Sequence, residues 1–204
     1  MTLLREPTTV TAAEYLVCER AAETKSEYSR GEIRPMPGAS RKHNLIATNI
    51  LASLHIQLRK QPCEVYPSDM RVKVPATGLY TYPDVTVVAD EARLEDATQD
   101  ILLNPTLIVE VLSDSTETYD RGEKFHSYRT IESLQEYVMI AQDSYHVEHY
   151  ARQPNGQWLL SEAISLAETL HLSTIDCDLP LANVYDKVAI SQKAENSRLN
   201  GHLN

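Results

Sequence analysis

The chain has 204 residues, of which 42% are hydrophobic. This suits one domain large enough to bury a core and gives no reason to expect several domains. The 29 acidic residues outnumber the 19 basic residues and leave a net charge of -10. The molecule as a whole therefore repels nucleic acid and anionic membrane surfaces, and any phosphate-binding role requires a local basic patch.

The cysteines and the apolar segments indicate the cellular compartment of the protein. Cys18, Cys63 and Cys177 are odd in number, lie far apart and lack paired metal-ligand spacing, which favours a reducing environment and argues against a zinc cluster. No apolar stretch approaches the ~20 residues of a membrane span, and the N-terminus lacks a signal-peptide pattern. We therefore expect a cytoplasmic protein with no membrane partner.

The first predicted elements are a helix, a hairpin and a longer helix. Thr11 to Glu14 reads as a capping box that opens a short helix running to about Glu23. The turn Ser29 to Gly31 predicts a small hairpin. From Ser40 to Lys60, apolar residues recur at helical spacing, and His43 lies on the same inward face. This second helix is the clearest in the chain.

The rest of the chain alternates strands with turns. Strands are predicted over Glu64 to Val74 and Tyr82 to Ala89, followed by an acidic surface loop over Asp90 to Asp100. A helix is predicted from roughly Thr118 to Ile131. The remaining predicted strands are Thr106 to Leu112, Glu136 to Ala141, Tyr145 to Ala151 and Gln157 to Leu160.

These elements predict an α/β (α+β) fold in which a mixed central β-sheet is flanked by helices. We expect residues 1–188 to form a single domain. Residues 189–204 form a polar C-terminal tail, which we expect to be flexible.

Two carboxylates stand where the pattern predicts buried strand. Glu110 interrupts the apolar run Leu107 to Leu112, and Asp84 opens the apolar run that follows Pro83. Burying a lone ionised carboxylate costs several kcal/mol. A divalent cation between Asp84 and Glu110 would remove that cost, because hard metals take carboxylate oxygens. The alternative interpretation is that Asp84 ends a strand after proline while Glu110 pairs with a buried arginine or lysine.

Lys124 is a third candidate. It lies on the helix that follows the Glu110 strand, close to the apolar side of that helix. An ordinary exposed pair with Asp120, four residues earlier, is the competing interpretation and would contribute only ~0.3–0.5 kcal/mol. Basic residues that flank these elements could supply a positive strip: Arg41, Lys42, Arg121 and Arg129.

Taken together, these stretches carry a resemblance. The chain resembles the Uma-type restriction endonucleases of the PD-(D/E)XK nuclease superfamily over roughly residues 8–188. The matching positions are Pro83 to Val88, Leu107 to Ser113, Ser115, Thr116, Asp120, Arg121, Lys124 and Tyr128, with Glu27, Gly31, Met36, Pro37 and His43 upstream. The superfamily usually places its lysine two residues after the glutamate, where this chain has Leu112. Lys124 on the following helix is therefore the corresponding candidate.

The resemblance implies a restriction endonuclease-like fold and hydrolysis of phosphodiester bonds in DNA. Asp84, Glu110 and the backbone carbonyl of Val111 would hold Mg²⁺, with Mn²⁺ as a substitute, and Lys124 would position or deprotonate the attacking water. Glu27 and His43 are further catalytic candidates, although a lone inward histidine is more often a hydrogen-bonded core residue. The resemblance also implies a homodimer.

A second hypothesis is that the protein keeps the nuclease fold without cutting. It would then act as a DNA-binding or protein-interaction module, which the acidic net charge favours slightly. The pair of carboxylates on core strands speaks against it, because buried acids without a use cost stability.

Overall fold

The computed structural model describes residues 9–113 and 116–190. The first elements are α1 (Ala12–Ala21), β1 (Ser26–Ser29), β2 (Glu32–Pro35) and α2 (Arg41–Leu58). The predicted capping box opens α1: the Glu14 amide donates to Thr11 Oγ1 at 3.2 Å, and the Thr11 amide donates to Glu14 Oε2 at 2.8 Å. Ser40 caps α2 by accepting from the His43 amide.

The middle of the chain contains short strands and an interrupted helix. The strands are β3 (Glu64–Pro67), β4 (Arg71–Val74), β5 (Leu79–Thr81), β6 (Val85–Val88), β7 (Ile101–Leu102) and β8 (Leu107–Leu112). The helical segment after β8 consists of α3 (Glu117–Tyr119), a π-helical turn (Asp120–Lys124) and α4 (Phe125–Tyr128). The predicted helix therefore has a π-helical turn in its middle, and α4 ends at Tyr128 rather than at Ile131.

The last elements are β9 (Glu136–Ala141), β10 (Val147–Arg152), β11 (Trp158–Ala163), β12 (Thr169–Leu172), β13 (Cys177–Pro180) and α5 (Leu181–Val184). Strands β9 to β11 are the predicted meander. The β12–β13 hairpin and α5 were not predicted from the sequence.

The central sheet is mixed, as predicted. It has six strands in the order β11-β10-β9-β8-β6-β3, with β8 and β9 parallel and the other neighbouring pairs antiparallel. Because β8 lies between β6 and β9, it is buried along its whole length. Its ladder with β6 pairs Val85 with Val109, so Asp84 and Glu110 are the next residues beyond the end of that ladder.

A second sheet has five strands in the order β2-β1-β5-β4-β7. The prediction of one continuous strand over Glu64 to Val74 is wrong. The chain turns after Pro67, where the Met70 amide donates to the Pro67 carbonyl at 3.1 Å. Strand β3 then belongs to the central sheet and β4 to the second sheet. A proline cannot donate to a ladder, which favours the break at this point.

The core lies on both faces of β8. Leu107, Val109 and Val111 belong to the cluster that also contains the buried face of α2. Ile108 and Leu112 belong to the opposite cluster, which includes Tyr128 of α4. Since side chains alternate along a strand, Glu110 shares the face of Ile108 and Leu112. The sequence thus places its carboxylate towards the segment that carries Lys124.

Within the described residues, no helix has both the length and the apolar character needed to cross a membrane. Ser115 of the family motif and residues 191–204 of the predicted tail lie outside the described residues.

Candidate active site

Five candidate residues line one cavity of about 600 Å³. It lies where β6 begins and β8 ends, beside the first turn of α2 and the π-helical turn. The sequence candidates on its wall are His43, Asp84, Glu110, Val111 and Lys124. The structure therefore brings the two acids and the lysine to the wall of the same cavity.

Asp84 is fixed from two sides. Its Oδ2 atom accepts a hydrogen bond from the Val111 amide at 2.7 Å, which ties the start of β6 to the end of β8. His43 Nε2 lies 3.2 Å from the same oxygen. The His43 ring is placed there because Ser40 starts α2 three residues earlier. Among the described residues, His43 Nδ1 is buried and has no hydrogen-bond partner.

Glu110 is almost completely buried, with 4% of its surface exposed. Its Oε1 atom accepts from Tyr128 Oη at 2.8 Å and from Lys124 Nζ at 3.1 Å. Burial raises the pKa of Glu110 well above its usual range, and Lys124 opposes that rise. Asp120 and Asp84 add to it by electrostatic repulsion. Burying this carboxylate is therefore costly, and the ammonium group of Lys124 offsets part of that cost.

Lys124 is surrounded by acids. Its Nζ atom lies 3.1 Å from carboxylate oxygens of Glu27, Glu110 and Asp120. Burial disfavours the charged amine, but the electrostatic attraction of Glu110 and the other acids outweighs burial and raises the Lys124 pKa well above its usual range. The amine is therefore an ammonium group at neutral pH.

The remaining acids are also held in place. Thr81 Oγ1 donates to Glu27 Oε1 at 2.5 Å, in a buried position on β5. Burial raises the pKa of Asp120, although Lys124 opposes the rise. The alternative that Asp120 and Lys124 form an exposed pair is wrong, because the two residues are only 2% and 5% exposed.

The charges around the cavity do not balance. Asp84, Glu27, Glu110 and Asp120 bring four carboxylates to this region, where Lys124 lies against three of them and His43 lies against Asp84. Lys25 also lines the cavity, but its ammonium group is paired with Asp69. A surplus of buried negative charge is costly unless protons or a cation offset it. All of these acids offer hard oxygen ligands, which suit Mg²⁺ or Mn²⁺.

Two groups that contact the site were not assigned a role from the sequence. Tyr128 donates to Glu110, and Thr81 donates to Glu27. The position of Tyr128, one helical turn after Lys124, is a signal that could have identified it. Thr81 gave no such signal, because it belongs to a short strand that the sequence pattern did not separate from its neighbours.

Two of the four basic residues in the predicted positive strip are paired with acids. Lys42 Nζ lies 2.6 Å from Asp143 Oδ1. Arg121 forms ion pairs with Glu117 and Glu148. Arg41 and Arg129 are exposed, and the guanidinium of Arg129 lies 2.8 Å from His126 Nδ1. The local positive charge of this surface is therefore smaller than the sequence predicted.

Comparisons with known proteins identify one family. The family model described as "Uma2: Putative restriction endonuclease" matches residues 12–182. Uncharacterized protein sll1609 of Synechocystis sp. is 45% identical over 153 residues, covering 75% of this chain and 86% of that protein. Uncharacterized protein slr1290 of the same organism is 35% identical over 176 residues, covering 86% and 91%.

A solved structure shares the fold. It is the crystal structure of a putative nuclease belonging to DUF820 from Anabaena variabilis, which superposes with a TM-score of 0.68 at 17% identity. The match covers 82% of this chain and 93% of that one. At this level of identity the similarity establishes the restriction endonuclease-like fold.

Proposed function

The chain belongs to the Uma2 family of restriction endonuclease-like proteins, and from this premise we propose that it is a metal-dependent endonuclease that hydrolyses phosphodiester bonds in DNA. The observation that supports this most strongly is the arrangement of Asp84, Glu110 and Lys124 around one cavity. An oxygen-rich, negatively charged pocket beside a fixed ammonium group suits phosphoryl chemistry.

The residues present fit a divalent cation. Asp84 and Glu110 would hold Mg²⁺ together with the backbone carbonyl of Val111, and Mn²⁺ could replace it. When bound, the cation supplies Lewis-acid stabilisation of charge on the phosphate. It would also offset the surplus of carboxylates around Lys124.

We assign Lys124 the role of a charged donor. Because the surrounding acids raise its pKa well above the usual range, the amine keeps its proton at neutral pH and is a poor general base. An ammonium group can instead hydrogen-bond a phosphate oxygen or the attacking water and stabilise the charge that develops in the transition state. Of the two roles that the sequence suggested, positioning is the one we retain.

Glu27 and His43 serve as positioning residues in this proposal. The Glu27 carboxylate lies 3.1 Å from Lys124 Nζ and is itself held by Thr81. His43 holds one oxygen of Asp84. Neither residue needs to touch the phosphate for the site to be oriented.

The test is a cleavage assay on plasmid, branched and single-stranded DNA with Mg²⁺ or Mn²⁺. Wild-type protein should cut at least one of these substrates, and Asp84→Ala should abolish cutting. The matched control is Asp178→Ala, an exposed aspartate on β13, which should leave the rate unchanged. Activity that survives Asp84→Ala would show that the site is wrongly assigned.

A module that binds without cutting remains the second candidate function. The net charge of -10 and the ion pairs that neutralise Lys42 and Arg121 favour it. Wild-type protein that binds DNA or a protein partner but cuts no substrate with either cation would support this candidate instead.

A further inference from the structure

A second group of metal-binding side chains lies on the outer strands of the central sheet. We call it the β10–β11 cluster: His146 just before β10, Glu148 on β10 and Glu162 on β11. One ligand atom from each residue lies within 4.8 Å of the other two. Neither the family resemblance nor the proposed nuclease site includes these residues.

The backbone holds the three side chains on one side of the sheet. Glu148 and Glu162 are directly opposed in the antiparallel ladder between β10 and β11. His146 is two residues before Glu148, so alternation along the strand brings its ring to the same side. The backbone of His146 is also held in place, because its amide donates to the Ser144 carbonyl at 2.9 Å.

Two like charges face each other in this cluster. Carboxylates directly opposite in a ladder repel, and Glu148 is 7% exposed, so water screens it poorly. Each carboxylate has a nitrogen partner: Arg121 forms an ion pair with Glu148, and His146 Nε2 lies 2.8 Å from Glu162 Oε1. His146 Nε2 is also 4.0 Å from Glu148 Oε1.

We propose that the β10–β11 cluster binds a divalent transition-metal ion of the zinc class. His146 Nε2 and one oxygen each from Glu148 and Glu162 would be the three protein ligands. One imidazole with two carboxylates is a donor set that Zn²⁺ accepts, with a fourth position left for water. Mg²⁺ prefers oxygen ligands alone, so this site differs in metal preference from the Asp84–Glu110 site.

Arg121 is the competitor of the metal. Its guanidinium forms an ion pair with Glu148, and metal binding requires that this pair open. Arg121 retains a second partner, Glu117, at 3.0 Å, so the arginine keeps one ion pair when the metal displaces it. Removal of Arg121 should therefore tighten metal binding, whereas removal of a ligand should weaken it.

The experiment is calorimetric titration of the full chain with Zn²⁺ in excess Mg²⁺, which occupies oxygen-only sites. Wild type should bind one Zn²⁺ per chain. Loss of an outer-shell partner of a metal ligand already costs about 10- to 100-fold in affinity, so Glu162→Gln should cost at least about 100-fold. Arg121→Met should bind more tightly than wild type.

The matched control is His171→Gln. His171 Nδ1 and Asp178 Oδ1 lie 2.8 Å apart and form an exposed histidine–acid pair that lacks a third ligand among the described residues. This substitution should leave Zn²⁺ affinity unchanged. Circular dichroism verifies that each variant is folded before titration.

The proposal is overturned if wild type binds no Zn²⁺ at millimolar concentration, or if Glu162→Gln and His146→Gln, both folded, bind it as wild type does. Neither result bears on DNA cleavage, which depends on the separate Asp84–Glu110 site.

Discussion

Lys124 joins three elements through its ammonium group. Its ammonium group lies between Glu27 of β1, Glu110 of β8 and Asp120 of the π-helical turn. Removing one partner of a buried ion pair leaves the other charges uncompensated. The resulting loss of stability exceeds the net stabilisation that the pair itself provides. Lys124 therefore matters for folding as well as for the proposed reaction.

Lys124→Met should lower the free energy of unfolding by roughly 3–5 kcal/mol. Chemical denaturation followed by circular dichroism measures this. The control is Lys42→Met, which removes a half-exposed pair with Asp143 and should cost no more than about 1 kcal/mol. Equal costs for the two variants would contradict the buried charge cluster.

Tyr128 should tune Glu110 without contacting a metal. Its hydroxyl group donates to Glu110 Oε1 at 2.8 Å and lowers the pKa of that carboxyl group against the effect of burial. Tyr128→Phe should therefore weaken Mn²⁺ binding at the proposed site by about 10- to 100-fold. Titration with Mn²⁺ measures the affinity.

The control for that variant is Tyr66→Phe. Tyr66 also donates to a glutamate, Glu64, but this hydrogen bond is exposed and lies on β3, the edge strand of the central sheet. Its removal should leave Mn²⁺ affinity unchanged. An equal loss in both variants would indicate a general effect on stability rather than an effect on Glu110.

Among single residues, the sequence identified those whose side chains do not fit the apolar pattern of a buried strand. Asp84 and Glu110 stood out because a carboxylate in an apolar run needs an explanation, and the family resemblance added Lys124. The hydroxyl groups of Thr81 and Tyr128 violate no pattern, because both residue types are common in strands and helices. Their role follows only from the three-dimensional contacts.

Helix α2 is the element that the sequence predicted best. Ile46, Ile50 and Leu54 recur at helical spacing, are fully buried and belong to the core cluster that includes strands of the central sheet. Short elements were predicted poorly. Strand β7 has two residues, too few for any periodicity, and the β12–β13 hairpin has four residues in each strand.

Leu54→Ala should lower the free energy of unfolding by about 2–5 kcal/mol, because it leaves a cavity between α2 and the sheet. Ile56→Ala, on the same helix, is the matched control: Ile56 is 63% exposed, and its loss should cost less than about 1 kcal/mol. Thermal or chemical denaturation compares the two. Similar costs would mean that α2 packs on a different face.

At the level of the whole molecule, the family and the fold inferred from the sequence are confirmed. The family model spans residues 12–182, and the solved nuclease shares the fold over 82% of the chain. The sequence could not predict which acids its basic residues would pair with. Charge on a side chain is visible in the sequence, whereas its partner, such as Asp143 for Lys42, depends on the tertiary contacts.

The homodimer implied by the family resemblance stays a prediction. Light scattering at micromolar concentration should give twice the mass of the 23.0 kDa chain. A strict monomer across the accessible concentration range would contradict it.

The central claim is that a divalent cation joins two carboxylates on neighbouring core strands. Anomalous diffraction from crystals soaked in Mn²⁺ tests it most directly. We predict a peak within about 2–2.5 Å of carboxylate oxygens of both Asp84 and Glu110, and its loss in crystals of Asp84→Ala. A well-measured map of the wild-type protein with no peak between these two side chains would contradict the account.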